Sequence, residues 1–210
     1  MNIKFFNVAL GIALAATTMS ASAQKTYTTG AISYSTEVMG QQADVKQYFS
    51  PDSSAAIMTA GPATIKVLMN AKHDYLAVLV DVPVANMKKA GIATPAELEE
   101  AMSQFPTLTF TPGTETKTIS GFNCTKVVAK DAKSGKTYDV WVTKDISVPQ
   151  TAVPFYYHGL DGFPVQFTAF QQGQETNITI ASVTDEKAPA GTYGIAKDFE
   201  KGTMADLRQQ

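Results

Sequence analysis

The feature that most limits the fold is a period-two alternation of apolar and polar residues that starts near residue 26 and recurs almost to the end of the chain. Side chains on a strand point alternately to opposite faces, so this pattern specifies half-buried β-strands. Ile32, Tyr34, Thr36 and Val38 share one face of a first strand, 26–39, which Gly40 ends. Val45, Gln47 and Phe49 alternate against Asp44, Lys46 and Tyr48 in a second, 44–50. Pro51-Asp52-Ser53-Ser54 then makes a turn before a strand at 55–59. Further strands are predicted at 64–70, 75–82, 108–111, 115–119, 122–130, 137–144, 163–170 and 175–184. Polar turns such as Asp131-Ala132-Lys133-Ser134-Gly135 separate them. The run Leu76-Ala77-Val78-Leu79-Val80 is apolar on both sides, so its strand is expected to be central in the sheet or covered on both faces.

Helical signals are confined to the middle. Thr94-Pro95-Ala96-Glu97 carries an N-cap hydroxyl, a proline at the first helical position and a glutamate three residues on, the pattern of a capping box. Leu98, Ala101, Met102 and Phe105 then form an i, i+3, i+4, i+7 stripe that ends before Pro106. With a weaker helical pattern over 85–90, residues 84–105 read as a helical insertion between two groups of strands. The charged tail, 196–210, reads as a loosely held segment with a short helix. The expected fold is mainly β, of the α+β class: a curved, incompletely closed antiparallel sheet whose helical insertion covers the concave face.

The first 23 residues follow a different logic. Lys4, an apolar run from Phe5 to Ala16 and Ala21-Ser22-Ala23 have the layout of a signal peptide cleaved before Gln24. The run falls short of the roughly 20 residues that span a bilayer, so no transmembrane anchor is expected. No cysteine stands at the cleavage point, so the mature protein is not expected to be a lipoprotein. The resulting expectation is a periplasmic protein with one β-rich domain over 24–195. Without Lys4, 16 basic residues face 19 acidic ones, and no basic run occurs. Nucleic acid is therefore excluded as a partner, because it demands clustered positive charge. The single cysteine, Cys124, cannot form an internal disulfide and reads as a buried, inert thiol.

Catalytic patterns are missing. His73-Asp74 and His158 with Asp161 are the only histidine–carboxylate neighbours, no G-x-S-x-G elbow or phosphate-binding glycine loop occurs, and two histidines with one cysteine give no zinc spacing. The chain is read as a non-enzyme with no cofactor and no metal. Met39, Met58, Met69, Met87 and Met102 concentrate in one half of the chain, and methionine is a flexible filler suited to varied apolar partners. With Tyr75 they could line a cavity for an acyl chain; Met87, Leu98, Met102, Phe105 and Trp141 are the candidate lining residues. Ordinary core packing under a helix would use the same residues. Phe155, Tyr156, Tyr157 and His158 form a second candidate, a loop that contacts a ligand or an envelope protein partner, or that caps one end of the sheet.

Two segments carry a family resemblance. Thr118-Ile119-Ser120-Gly121-Phe122-Asn123-Cys124-Thr125-Lys126 is followed by Thr137-Tyr138-Asp139-Val140-Trp141-Val142-Thr143-Lys144-Asp145-Ile146. This pairing resembles exported bacterial proteins grouped as the domain-of-unknown-function family DUF4412. It is also similar to the GLPGLI-type proteins, with Asp161 in Gly159-Leu160-Asp161-Gly162 where those carry proline. The group as a whole is similar to the LolA/LolB lipoprotein-carrier superfamily. That resemblance implies a half-barrel over a helical lid and an apolar cavity, and hence a lipid or acyl-chain ligand; it assigns no site residue. The alternative function is a structural or protein-interaction module of the cell envelope with no small-molecule ligand.

Overall fold

The computed structural model describes residues 24–38, 41–171 and 173–208, so the predicted signal peptide lies outside the described residues. In chain order the strands are β1 (Lys25–Thr26), β2 (Gly30–Val38), β3 (Gln41–Phe49), β4 (Ser53–Ala60), β5 (Ala63–Asn70), β6 (Leu76–Val82) and β7 (Met87–Ile92). Helix α1 (Pro95–Ser103) follows, then β8 (Leu108–Ile119), β9 (Phe122–Asp131), β10 (Thr137–Thr143) and β11 (Ile146–Ser147). The chain closes with β12 (Phe163–Gln171), β13 (Gln174–Thr184), β14 (Glu200–Thr203) and α2 (Met204–Arg208). Twelve strands form one curved sheet in the order β14-β7-β6-β5-β4-β3-β2-β13-β12-β10-β9-β8, and its two edges do not meet to close a barrel. All its pairs are antiparallel except β7 with β14. The small pair β1–β11 is also parallel.

Local chemistry accounts for the tight turns. Ser120 and Gly121, with φ of 50° and 84°, make the two-residue turn from β8 to β9. Gly162, with φ of 130°, leads into β12, and a Cβ there would stand 2.6 Å from the Thr143 carbonyl oxygen. Only glycine meets both conditions. The expected strands at 108–111 and 115–119 are one strand, β8, whose register against β9 shifts between Pro112 and Thr116. Proline has no N–H to give a ladder and is tolerated at such irregularities.

Two differences from the sequence reading concern pairing partners. The expected helix over 85–90 is instead strand β7, entered from a short 3-10 turn at Pro83–Ala85. Its residues pair with β6 on one side and β14 on the other, and this two-sided pairing overrides a weak local preference. The tail is not loose either: β14 extends the sheet, and α2 turns back over it, with Leu207 close above Gly91.

The register assigns the faces. Tyr34, Val45, Met58, Ile65 and Val80 are aligned across β2 to β6 on the inner face. Ala55, Leu68 and Ala77 are aligned on the outer face. The main core lies inside the curve, where Ile32, Phe49, Val140, Val165, Phe167 and Ile178 pack with Tyr157. Ala55, Leu68, Ala77, Leu79 and Ala90 form a second cluster on the outer face, and Tyr193, Ile195 and Phe199 pack against it. The segment 185–199 is thus a strap across the back of the sheet. Lysines from every other strand hold it. Lys46 of β3 reaches Glu186 at 2.8 Å, Lys66 of β5 donates to the carbonyls of Thr192 and Gly194, and Lys88 of β7 reaches Asp198 at 2.8 Å. Burial holds the Lys66 ammonium below the usual lysine range. Strand β6 lies inside the sheet between β5 and β7; the strap covers its outer face, and its inner-face residues Leu76, Val78 and Val80 are half-buried.

Candidate functional site

An open groove of about 770 Å³ occupies the inner side of the sheet, within the 300–1,000 Å³ typical of ligand sites. Its floor is Val67, Met69, Leu76 and Val78 from β5 and β6. One wall is the apolar stripe of α1. The Thr94 side chain accepts from the Glu97 N–H, and Glu97 Oε2 accepts from the Thr94 N–H at 2.8 Å, so the capping box is complete and fixes where the helix begins. The stripe then delivers Leu98, Ala101, Met102 and, just past the last turn, Phe105 to the groove. The other wall consists of the tips of the β9–β10 and β12–β13 hairpins, including Lys136, Tyr138, Phe170 and Glu175. Met204 and Arg208 of α2 complete the rim, and Glu97 Oε1 accepts from the Ala205 N–H at 2.9 Å to tie α2 to α1.

Aromatic packing shapes one end. Phe105 stacks on Tyr156 at 5.3 Å and meets Phe155 edge-on at 4.9 Å. Tyr156 meets Phe170 edge-on at 5.2 Å, and Phe170 meets Tyr138 at 5.1 Å. Such pairs add about 0.5–1.5 kcal/mol each beyond their area, so this end is a firm wall. Around it several rim charges are held by polar neighbours. Glu175 accepts from Lys136 at 2.6 Å and from the Tyr138 hydroxyl at 2.9 Å, and these two bonds hold its carboxyl below the usual range. Burial, aided by Glu175, pushes the Tyr138 phenol up to about 12. Lys133 donates to the Ser103 carbonyl at the end of α1, where a cation is favoured by the helix dipole. The result is an apolar trough with a polar rim.

The predicted site residues separate into groups. Leu98, Met102 and Phe105 line the groove, joined by Met69. Met87 does not line it: it begins β7 opposite Val82, four residues along from Gly91, the partner of Val78 on the groove floor. Trp141 is on the outer face in phase with exposed Asp139, and Lys117 Nζ rests 4.1 Å from its ring centre. The buried face of β10 belongs to Tyr138, Val140 and Val142, so alternation turns Trp141 away from the groove. Tyr75 packs on the outer-face cluster, Met58 lines a separate inner compartment, and Met39 lies outside the described residues.

The loop 155–158 turns inward. Tyr157 is buried, meets Phe167 edge-on and Phe110 at a tilt, and donates from its hydroxyl to the Thr168 carbonyl at 2.8 Å. Phe155 contributes to the groove wall. His158 meets His73, from the β5–β6 turn, with ring centres 5.3 Å apart, and burial followed by His158 lowers the His73 pKa. Sequence spacing had no signal for this encounter, since the two histidines are 85 positions apart. Cys124 is buried, and that burial pushes its thiol pKa up. Among the described residues no group of three or more His, Cys, Asp or Glu side chains could hold a metal ion, and no helix is long and apolar enough to cross a membrane.

The model of a family described as "Domain of unknown function (DUF4412)" matches residues 11–199. Two solved structures that the chain matches are "Structure of PNGF-II in C2 space group" and "Structure of PNGF-II in P21 space group". They are 17% and 16% identical, with TM-scores of 0.47 and 0.48, and the alignments cover 86% and 87% of this chain. The matched region is 32% of each of those chains, so this chain spans about a third of their length. No curated protein matches the sequence.

Proposed function

The chain belongs to the DUF4412 family, and on that premise we propose that it is an exported, periplasmic binding or carrier protein that holds an apolar, acyl-like ligand in the inner groove. The observation that carries the reading is the groove itself: about 770 Å³ between sheet and helix, floored by Val67, Met69, Leu76 and Val78 and faced by Leu98, Met102 and Phe105. A self-sufficient core would bring such side chains into contact with each other. Here they face an open trough. About ten buried methylenes at about 0.8 kcal/mol each supply about 8 kcal/mol of gross driving force, against which association costs are set. The resemblance to LolA/LolB-type carriers and to GLPGLI-type proteins, a half-barrel with a helical lid, points the same way. The alternative, an envelope interaction module docking through 155–158, has less support, because those residues spend their surface on Phe105, Phe110, Phe167 and His73.

Titration with the fluorescent fatty acid cis-parinaric acid tests the proposal. Saturable binding to the unaltered protein is expected, with loss in Met102→Arg and Val78→Arg and retention in Trp141→Ala. No saturable binding, or equal binding by all four proteins, would overturn it.

A further inference from the structure

The inner side of the sheet holds a second compartment, of about 160 Å³, behind the aromatic end of the groove. The Phe105–Tyr156 stack divides the two: Phe105 lines the groove, and Tyr156 lines the smaller space. Its apolar walls include Ile32, Val45, Met58 and Phe167. Its polar lining is the phenols of Tyr34 from β2 and Tyr156 from the loop, with Thr36, Gln47 and, at the border with the groove, Gln171.

The hydrogen bonding of these phenols is incomplete. Tyr156 Oη accepts from the Phe170 N–H at 3.3 Å, which leaves its own proton unused. Tyr34 Oη has no hydrogen-bond partner among the described residues. Burial pushes both phenols up to about 12, and Tyr34 contributes to the shift of Tyr156, so the two rings are within each other's electrostatic reach. Both remain protonated donors at any working pH. No charged side chain lines the space among the described residues, and the Gln47 amide is committed to the Thr151 carbonyl at 3.3 Å.

We propose that this compartment is a second binding site, separate from the groove, for a neutral, ring-sized molecule with one acceptor oxygen directed at the Tyr34 and Tyr156 hydroxyls. The size follows from the volume, since an apolar cavity of about 150 Å³ accepts benzene. The neutrality follows from the lining, because a carboxylate would be buried without a counter-ion. The acceptor follows from two phenolic protons that lack a partner.

Acetophenone and ethylbenzene are near-isosteric probes that differ in the carbonyl oxygen. Calorimetric or ligand-observed NMR titration of the full chain is expected to give saturable acetophenone binding, about three- to tenfold tighter than ethylbenzene, the value of one to two neutral hydrogen bonds. Tyr34→Phe and Tyr156→Phe each remove one oxygen and are expected to shrink that preference, while Met102→Arg in the groove leaves it intact. Absence of acetophenone binding, equal binding of the two probes, or an unchanged preference in both phenylalanine variants would overturn the proposal. The comparison of probes on the unaltered protein stands even where a variant folds poorly.

Discussion

Leu79→Ala tests how the back of the sheet is closed. Leu79 is 1% exposed, and its companions Leu68, Ala55, Ala77 and Ala90 are all at 2% or less. Three of those four are alanines, too short to move into a vacated volume. Removing three carbons forfeits about 2.4 kcal/mol of transfer free energy at about 0.8 kcal/mol per carbon. A residual cavity raises the loss, and measured leucine-to-alanine costs span about 2.7–5.0 kcal/mol. The strap carrying Tyr193, Ile195 and Phe199 is a run of turns with no helix or strand of its own, so it can settle part of the way into the space. The expected cost is therefore near the lower end, about 3 kcal/mol. For a chain of this size that lowers Tm by about 6–12 °C. Urea denaturation at 25 °C, with the midpoint shifted and the slope unchanged, measures it. Phe199→Ala in the same background is expected to couple to it by at least about 0.5 kcal/mol. A cost below about 1 kcal/mol, with no coupling, would mean that 185–199 does not cover the outer face, and the reasoning would fail.

The remaining predictions concern groups whose environments are unusual. The His73 pKa is lowered in the fold, so its contribution is fully present above the unfolded value of 6.5 and is lost as pH falls through the folded value. Thermal stability is expected to decline as pH drops from 6.5 towards 5, and His73→Asn, which tolerates the positive φ of 56°, is expected to flatten that decline. Glu175, Glu186 and Asp131 have lowered pKa values, so the stability they add is lost only at lower pH, from their ordinary values of 4.5, 4.5 and 3.8 downward. Cys124 is buried with a raised pKa, and its reaction with a disulfide reagent at pH 8 is expected to be at least about 100-fold slower in the folded protein than in denaturant. Gly162→Ala forces a Cβ to within 2.6 Å of the Thr143 carbonyl oxygen and 2.7 Å of Val142 Cγ1 at a φ of 130°, and is expected to cost about 2–4 kcal/mol by calorimetry.

What could be read from the sequence depended on whether a signal was local. The alternation in β2 and β3 put Ile32 with Tyr34, and Val45 with Phe49, on one face of their own strands, because period two survives any choice of partner strand; the register then aligned Tyr34 with Val45. The capping box at Thr94 located α1 for the same reason: all its bonds lie within four residues. The two-sided apolar run of β6 announced an interior strand without saying what would lie over either face. The outer cover is the strap 185–199, whose Tyr193, Ile195 and Phe199 are spaced among polar residues and give no amphipathic signal until Lys46, Lys66 and Lys88 fix it in place. Strand β7 was missed because Met87-Lys88-Lys89-Ala90 suits a helix as well as a strand, and pairing with β14, more than 100 residues later, decides it. At the groove, the helical stripe brought Leu98, Met102 and Phe105 together, whereas Met87 and Trp141 depended on register and face, which composition does not encode. The His73–His158 contact is purely tertiary.

Native mass spectrometry of the full chain purified from its own host tests the groove reading most directly. The account predicts a population carrying a non-covalent adduct of lipid-like mass, released on activation and lost in Met102→Arg. A chain that flies only at its bare mass, from host and after incubation with mixed fatty acids alike, would contradict it.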